Sequence, residues 1–262
     1  MPKVMAIINV TPDSFVRHCA NITEVEVLRW ASDALSSGAD ILDLGGCSTR
    51  PGSTPPSEEE EWRRIRLAVS AIRREWPDAV LSIDTWRASV ARRAVDDYGV
   101  DIINDISGGQ FDPDMFATVA NAHVPYILTH TRAMPDVMQQ HTDYDDLMSE
   151  MLAYMQQRVD RLHQLGVADI IIDPGFGFAK TTEQNYTILR HLHALQVLGL
   201  PVLVGLSRKS MITQVLDITA EEALAGTVAL QTLALVGGAD ILRVHDVKEA
   251  KQLIKLYTHY AI

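Results

Sequence analysis

Gly38-Ala-Asp-Ile-Leu-Asp43 recurs along the chain as Gly99-Val-Asp-Ile-Ile-Asn104, Gly166-Val-Ala-Asp-Ile-Ile-Ile-Asp173 and Gly238-Ala-Asp-Ile-Leu-Arg243. Each copy reads as a glycine helix stop, a short apolar strand and a polar residue where the strand ends. Their spacing of roughly 60 to 70 residues accommodates two strand–helix units per copy. Further apolar runs fall between the copies at 4–8, 79–83, 124–128 and 201–205. Eight nearly continuous apolar strands alternating with helical segments predict an α/β protein built as a (β/α)8 TIM barrel. Ser57 and Glu60 predict a reciprocal capping box before a helix whose Trp62, Ile65, Val69 and Ile72 face the core. The competing open doubly wound sheet would carry a Gly-x-Gly-x-x-Gly turn after the first strand, and none stands there.

The 262 residues, 47% of them hydrophobic, suit one barrel domain spanning 1–262. A net charge of −11 argues against a general nucleic-acid or anionic-membrane surface. Cys19 and Cys47 are the only cysteines, which gives no disulfide framework. The start of the chain lacks a signal-peptide pattern, and no apolar run reaches the roughly 20 residues of a membrane helix. A cytoplasmic protein is expected.

Barrel chemistry collects at the carboxyl ends of the strands. The residues closing the apolar runs are Asn9, Asp43, Asp84, Asn104, His130, Asp173, the trio Ser207-Arg208-Lys209, and Arg243 with His245. A lone polar residue at such a place is usually a cap or turn former. A polar group at every strand end reads instead as a site. Asp84, Asn104 and Asp173 offer acceptors and an amide suited to a flat heterocycle rich in N–H donors. Arg50, Arg208, Lys209, Arg243 and His245 call for an anionic guest, except where one or two of them pair with Asp43 or Asp246. Phe176 and Phe178, beside Asp173, read either as a stacking platform or as core. No Cys/His cluster has zinc spacing, but Mg²⁺ held by phosphate oxygens and water needs little more than one protein oxygen, from Asn9 or Asp43.

The ordered motifs Asn9-Val-Thr-Pro-Asp-Ser-Phe15, Asp43-Leu-Gly-Gly46 with Ser48-Thr-Arg-Pro-Gly52, Ser82-Ile-Asp-Thr85, Ile103-Asn-Asp105, Asp173-Pro-Gly-Phe-Gly-Phe178, Ser207-Arg-Lys209 and Arg243-Val-His-Asp246 resemble those of the dihydropteroate synthase family over nearly the whole chain. The resemblance implies that 4-aminobenzoate displaces pyrophosphate from 6-hydroxymethyl-7,8-dihydropterin diphosphate, giving 7,8-dihydropteroate. It implies that Asp84, Asn104, Asp173, Phe178, Lys209 and Arg243 hold the pterin. Asn9, Arg50, Arg243 and His245 meet the diphosphate, with Mg²⁺ partly on Asn9. Phe15, Thr49, Pro51 and Ser207 border the aminobenzoate. Catalysis falls to Asn9, Asp84, Asp173, Lys209 and His245, and the assembly is expected to be a homodimer.

Three stretches depart from the family pattern. Cys47 stands where a Glu is common, Thr129-His130-Thr131 replaces Met-His-Met, and Val16-Arg-His-Cys19 replaces Ser-Asp-Gly-Gly. Two rival readings follow: a catalytically silent pterin-binding paralogue, and a pterin-dependent methyltransferase. The second usually has Asn after the seventh-strand Ser, where this chain has Arg208-Lys209.

Overall fold

The computed structural model describes residues 1–11, 22–48 and 53–260. Its strands are β1 (Lys3–Asn9), β2 (Ile41–Gly45), β3 (Leu81–Asp84), β4 (Ile102–Asp105), β5 (Tyr126–Thr129), β6 (Ile170–Asp173), β7 (Leu203–Val204) and β8 (Ile241–Val244). All pair in parallel in the order β6-β5-β4-β3-β2-β1-β8-β7. The bridge Ile172–Val202 joins β6 to β7 and closes the ring. The barrel expected from the apolar runs is therefore present, and the open sheet is excluded.

Helices α1 (Glu24–Ser36), α2 (Glu58–Glu75), α3 (Ala88–Tyr98), α4 (Met115–Ala122), α5 (Leu147–Gln164), α6 (Thr182–Arg190), α7 (Ser210–Leu216), α8 (Leu224–Val236) and α9 (Val247–Tyr260) complete the described elements, with short 3₁₀ turns at Met138–Gln140 and Leu192–Leu198. None is long and apolar enough to cross a membrane. Trp62, Ile65, Val69 and Ile72 are buried, as their spacing predicts. The Ser57 hydroxyl accepts from the Glu60 amide at 3.3 Å, but the reciprocal half of the expected capping box is missing. Glu60 is drawn instead to Arg63 and Arg64 on its own helix, where a charged partner outcompetes a neutral amide. Full capping boxes form at Thr23/Glu26 and Thr181/Gln184.

The fourfold phrase acts at the opposite, amino-terminal rim. Gly38, Gly99, Gly166 and Gly238 all have positive φ, and the residue after each donates back into its helix: Ala39 to Ala34, Val100 to Ala94, Val167 to Leu162 and Ala239 to Ala234. That is a Schellman-type closure, which glycine makes without Cβ strain. The following aspartate then clamps the start of the preceding strand segment. Asp40 accepts from Val4 N at 2.7 Å, Asp101 from Leu81 N at 2.8 Å and Asp240 from Val202 N at 2.9 Å. In the third copy the inserted Ala168 shifts the register, and Tyr126 N donates to the Asp169 backbone carbonyl instead. The phrase is a stitch between paired strands.

Alternation within the strands divides the core. Val4, Leu42, Leu81, Ile103, Leu128, Ile172, Val204 and Leu242 face the helices. Met5, Ile41, Ile102, Ile127, Leu203 and Ile241 form a separate inner cluster, with Ile171 against it. This apolar plug lies on the amino-terminal side of the inward-facing polar residues that follow it along the strands. The next inward positions define the site.

Candidate active site

Two residues beyond the plug on β2 and β8, Asp43 and Arg243 face inward. Asp43 is fully buried and pairs with Arg243 at 2.6 Å through Nε. The same arginine reaches Asp84 at 2.6 Å through Nη2. Asn104 donates its amide to Asp43 Oδ2 at 3.0 Å, so its carbonyl is the end left for a guest. β2, β3, β4 and β8 are thus tied through one charged cluster. Burial raises the Asp84 carboxyl, while Arg243 opposes the shift.

Asp173 closes β6, buried to 8% exposure, and its Oδ1 accepts from Gly175 N at 2.7 Å. This is the Asx-turn that its Pro-Gly neighbours suggest, yet it occupies only one of the two oxygens. Burial raises Asp173, with Lys209 working the other way. Lys209 is pushed down to about 8 by burial, donates to the Phe176 carbonyl and lies 4.8 Å above the Phe178 ring. Phe176 is itself fully buried in the outer core, whereas Phe178 packs at the rim with Cys47, Trp86 and Ile106. The two phenylalanines have separate roles.

The basic group divides as well. Arg208, at φ 56°, forms a bidentate pair with Asp246 at 3.0 and 2.7 Å and donates to the Ala220 and Glu221 carbonyls. It ties the loops after β7 and β8 together and is not presented to an anion. Arg243 is committed to two carboxylates. Ser207, expected at the aminobenzoate, meets the His245 amide at 3.3 Å and its Nδ1 at 3.1 Å. Asn9 ends β1 with Oδ1 against Gly45, where a Cβ would sit 3.1 Å away. Among the described residues no three His, Cys, Asp or Glu side chains could hold a metal ion. The donor set therefore fits only an ion carried largely by phosphate oxygens, as Mg²⁺ binding through Asn9 requires. Phe15, Thr49, Arg50 and Pro51 lie outside the described residues, as does the departure at 16–19.

A family model described as "Pterin binding enzyme" matches residues 5–245. The dihydropteroate synthase of Synechocystis sp. is 46% identical over 256 residues, 97% of this chain and 88% of that protein. The chain belongs to the dihydropteroate synthase family. The Escherichia coli member is 38% identical over 97% of this chain and 90% of its own. The Yersinia pestis dihydropteroate synthase, solved with a sulfonamide drug complex, superposes with a TM-score of 0.94 at 38% identity, covering 99% of this chain and 94% of that one. The Xanthomonas albilineans dihydropteroate synthase, solved with 4-aminobenzoic acid, gives 0.90 at 36% identity over 100% and 94% of the two chains.

Motif reading leaves the placement of several residues around this site undecided. Asp43 holds Arg243 and Asn104. His130 closes β5 but faces outward, between Tyr144 and Tyr154, with Nδ1 2.9 Å from the buried Lys180 ammonium. Lys180 also donates to the carbonyls of Gly175 at 3.0 Å and Phe178 at 2.9 Å, so it anchors the Asp173 turn. Asp105 also faces outward, capping its loop through Ser107 N and Gly109 N. Period-two alternation counted from the plug would have separated these outward residues from Asn104 and Asp173.

Proposed function

We infer that this chain condenses 6-hydroxymethyl-7,8-dihydropterin diphosphate with 4-aminobenzoate, a transferase reaction releasing pyrophosphate in folate synthesis. The observation that carries the residue assignment is the inward convergence of Asp84, Asn104, Asp173 and Lys209 around Arg243. A dihydropterin presents an amidine-like edge of N–H donors, and two carboxylates with the Asn104 carbonyl match it. Those carboxylates also stabilise positive charge as the carbon–oxygen bond to diphosphate loosens. By family resemblance Phe178 packs around the pterin ring, and Lys209 lies over the Phe178 ring itself.

At the rim, Asn9, His245, Arg50 and Arg243 are assigned to the diphosphate by family resemblance. Asn9 would hold Mg²⁺ in part, and the ion would supply charge neutralisation for the leaving pyrophosphate. Phe15, Thr49, Pro51 and Ser207 are assigned to the aminobenzoate by the same resemblance. An aromatic amine is nucleophilic when neutral, so the site needs no strong general base. Incubation with both substrates and Mg²⁺ should release pyrophosphate only when all three are present, and a sulfonamide should compete with 4-aminobenzoate. Pterin binding without pyrophosphate release would mark a silent paralogue.

A cytoplasmic homodimer of one-barrel subunits is the assembly we propose. Leu233 and Val236 on α8 and Leu256 and Tyr260 on α9 are exposed by 54, 58, 71 and 78%. Val236, Leu256 and Tyr260 line a groove of about 480 Å³ together with Val228, Leu253 and Tyr257. An apolar strip of this kind suits a self-complementary face. Sedimentation equilibrium should give a dimer for the wild type and a monomer for Val236→Arg.

A further inference from the structure

We propose that Thr129 is a specificity-determining residue of the pterin pocket, its hydroxyl bonding to the bound heterocycle. The inference rests on the pterin reading of the site above. The heterocycle-gripping residues occupy β3 (Asp84), β4 (Asn104) and β6 (Asp173), and the strand between them must contribute something to the same wall. On β5, Ile127 belongs to the inner plug, so Thr129, two residues on, faces inward too. It pairs in register with Asp173, which places the two side chains next to each other on one face.

Thr129 is 1% exposed, and its Oγ1 has no hydrogen-bond partner among the described residues. Its methyl is accounted for, since Cγ2 lies 3.2 Å from where a Cβ on Gly175 would stand. Two other buried polar atoms without partners, Asp43 Oδ1 and Ser82 Oγ, lie on inward positions of β2 and β3. Buried polar groups in folded proteins are almost always satisfied, so an inward-facing orphan beside Asp173 points to a guest. Asp84, Asp173 and the Asn104 carbonyl only accept. A hydroxyl both donates and accepts, so Thr129 recognises a ring edge that also carries an acceptor, a carbonyl or imine nitrogen.

The test compares Thr129→Val, which keeps the shape and the methyl, with Thr129→Ser, which keeps the hydroxyl. Calorimetric binding of 6-hydroxymethyl-7,8-dihydropterin diphosphate should weaken about 10-fold in T129V and stay within about 2-fold in T129S. The KM for 4-aminobenzoate should not move in either variant, a split that a general packing defect would not produce. Wild-type pterin affinity in T129V, with Asp173→Asn binding weakly, would overturn the Thr129 assignment and leave the site reading standing. Wild-type affinity in both variants would overturn the site reading itself.

Discussion

Arg243 shows how a single side chain can look different in sequence and in space. Among the basic residues at strand ends it reads as an anion receptor, yet in the fold two carboxylates hold it at 2.6 Å. Its charge also orders Asp43 and Asp84 in a region too dry to leave either alone. Cys47 makes a similar point. Standing where a glutamate is common in the family, it is 5% exposed, and burial, with Glu61 next in effect, pushes its thiol up to about 12. The thiolate is the reactive form, so Cys47 should resist iodoacetamide at pH 8 in the folded protein and react fully after denaturation. A Cys19→Ser background keeps the other cysteine from obscuring the readout. Stoichiometric labelling of the native protein within minutes would contradict the buried placement.

At the scale of elements, the recurring Gly-x-Asp-Ile phrase serves assembly. Its glycine ends a helix, its aspartate fastens the neighbouring strand, and its apolar residues fill the two cores. The aspartates of the first two copies are reinforced by cations: Lys251 reaches Asp40 at 2.6 Å and Arg73 reaches Asp101 at 2.9 Å. The copies should therefore differ in their contribution to stability. Asp240→Ala, which strands the Val202 amide, should cost about 1–3 kcal/mol, whereas Asp169→Ala should fall within about 0.5 kcal/mol of wild type. Urea denaturation measures both, and equal costs would show that the side-chain clamp is not what the repeat provides. The helix starts were less legible. Ser57/Glu60 has the capping-box pattern, but Arg63 and Arg64 stand close enough along α2 to capture Glu60.

For the molecule as a whole, the pairing of Lys180 with His130 couples stability to pH. Burial and then the Lys180 charge lower the His130 pKa from 6.5 to about 2. The folded ring stays neutral while the unfolded chain binds a proton below pH 6.5. Stability from this group is thus present above pH 6.5 and lost as pH falls toward 2, by about 1.4 kcal/mol per unit. His130→Asn, which keeps an acceptor for Lys180, should show a shallower fall than wild type in urea titrations between pH 7 and 5. Parallel curves would remove His130 as the cause. The motif residues Asp84, Asn104, Asp173 and Lys209 were legible from the chain alone, because an apolar run ending in a polar residue marks a strand's carboxyl end wherever the strand lies. The same rule marked His130, which the barrel turns outward onto Tyr154. The amino-acid order by itself determined the eight-strand barrel, its active rim and the family, since these follow from local periodicity and contiguous motifs. Only the tertiary structure decided which rim residues face the cavity, which charges cancel and that Thr129 joins the wall. Those outcomes depend on strand register and on partners as much as 200 residues apart, as Arg243 and Asp43 are.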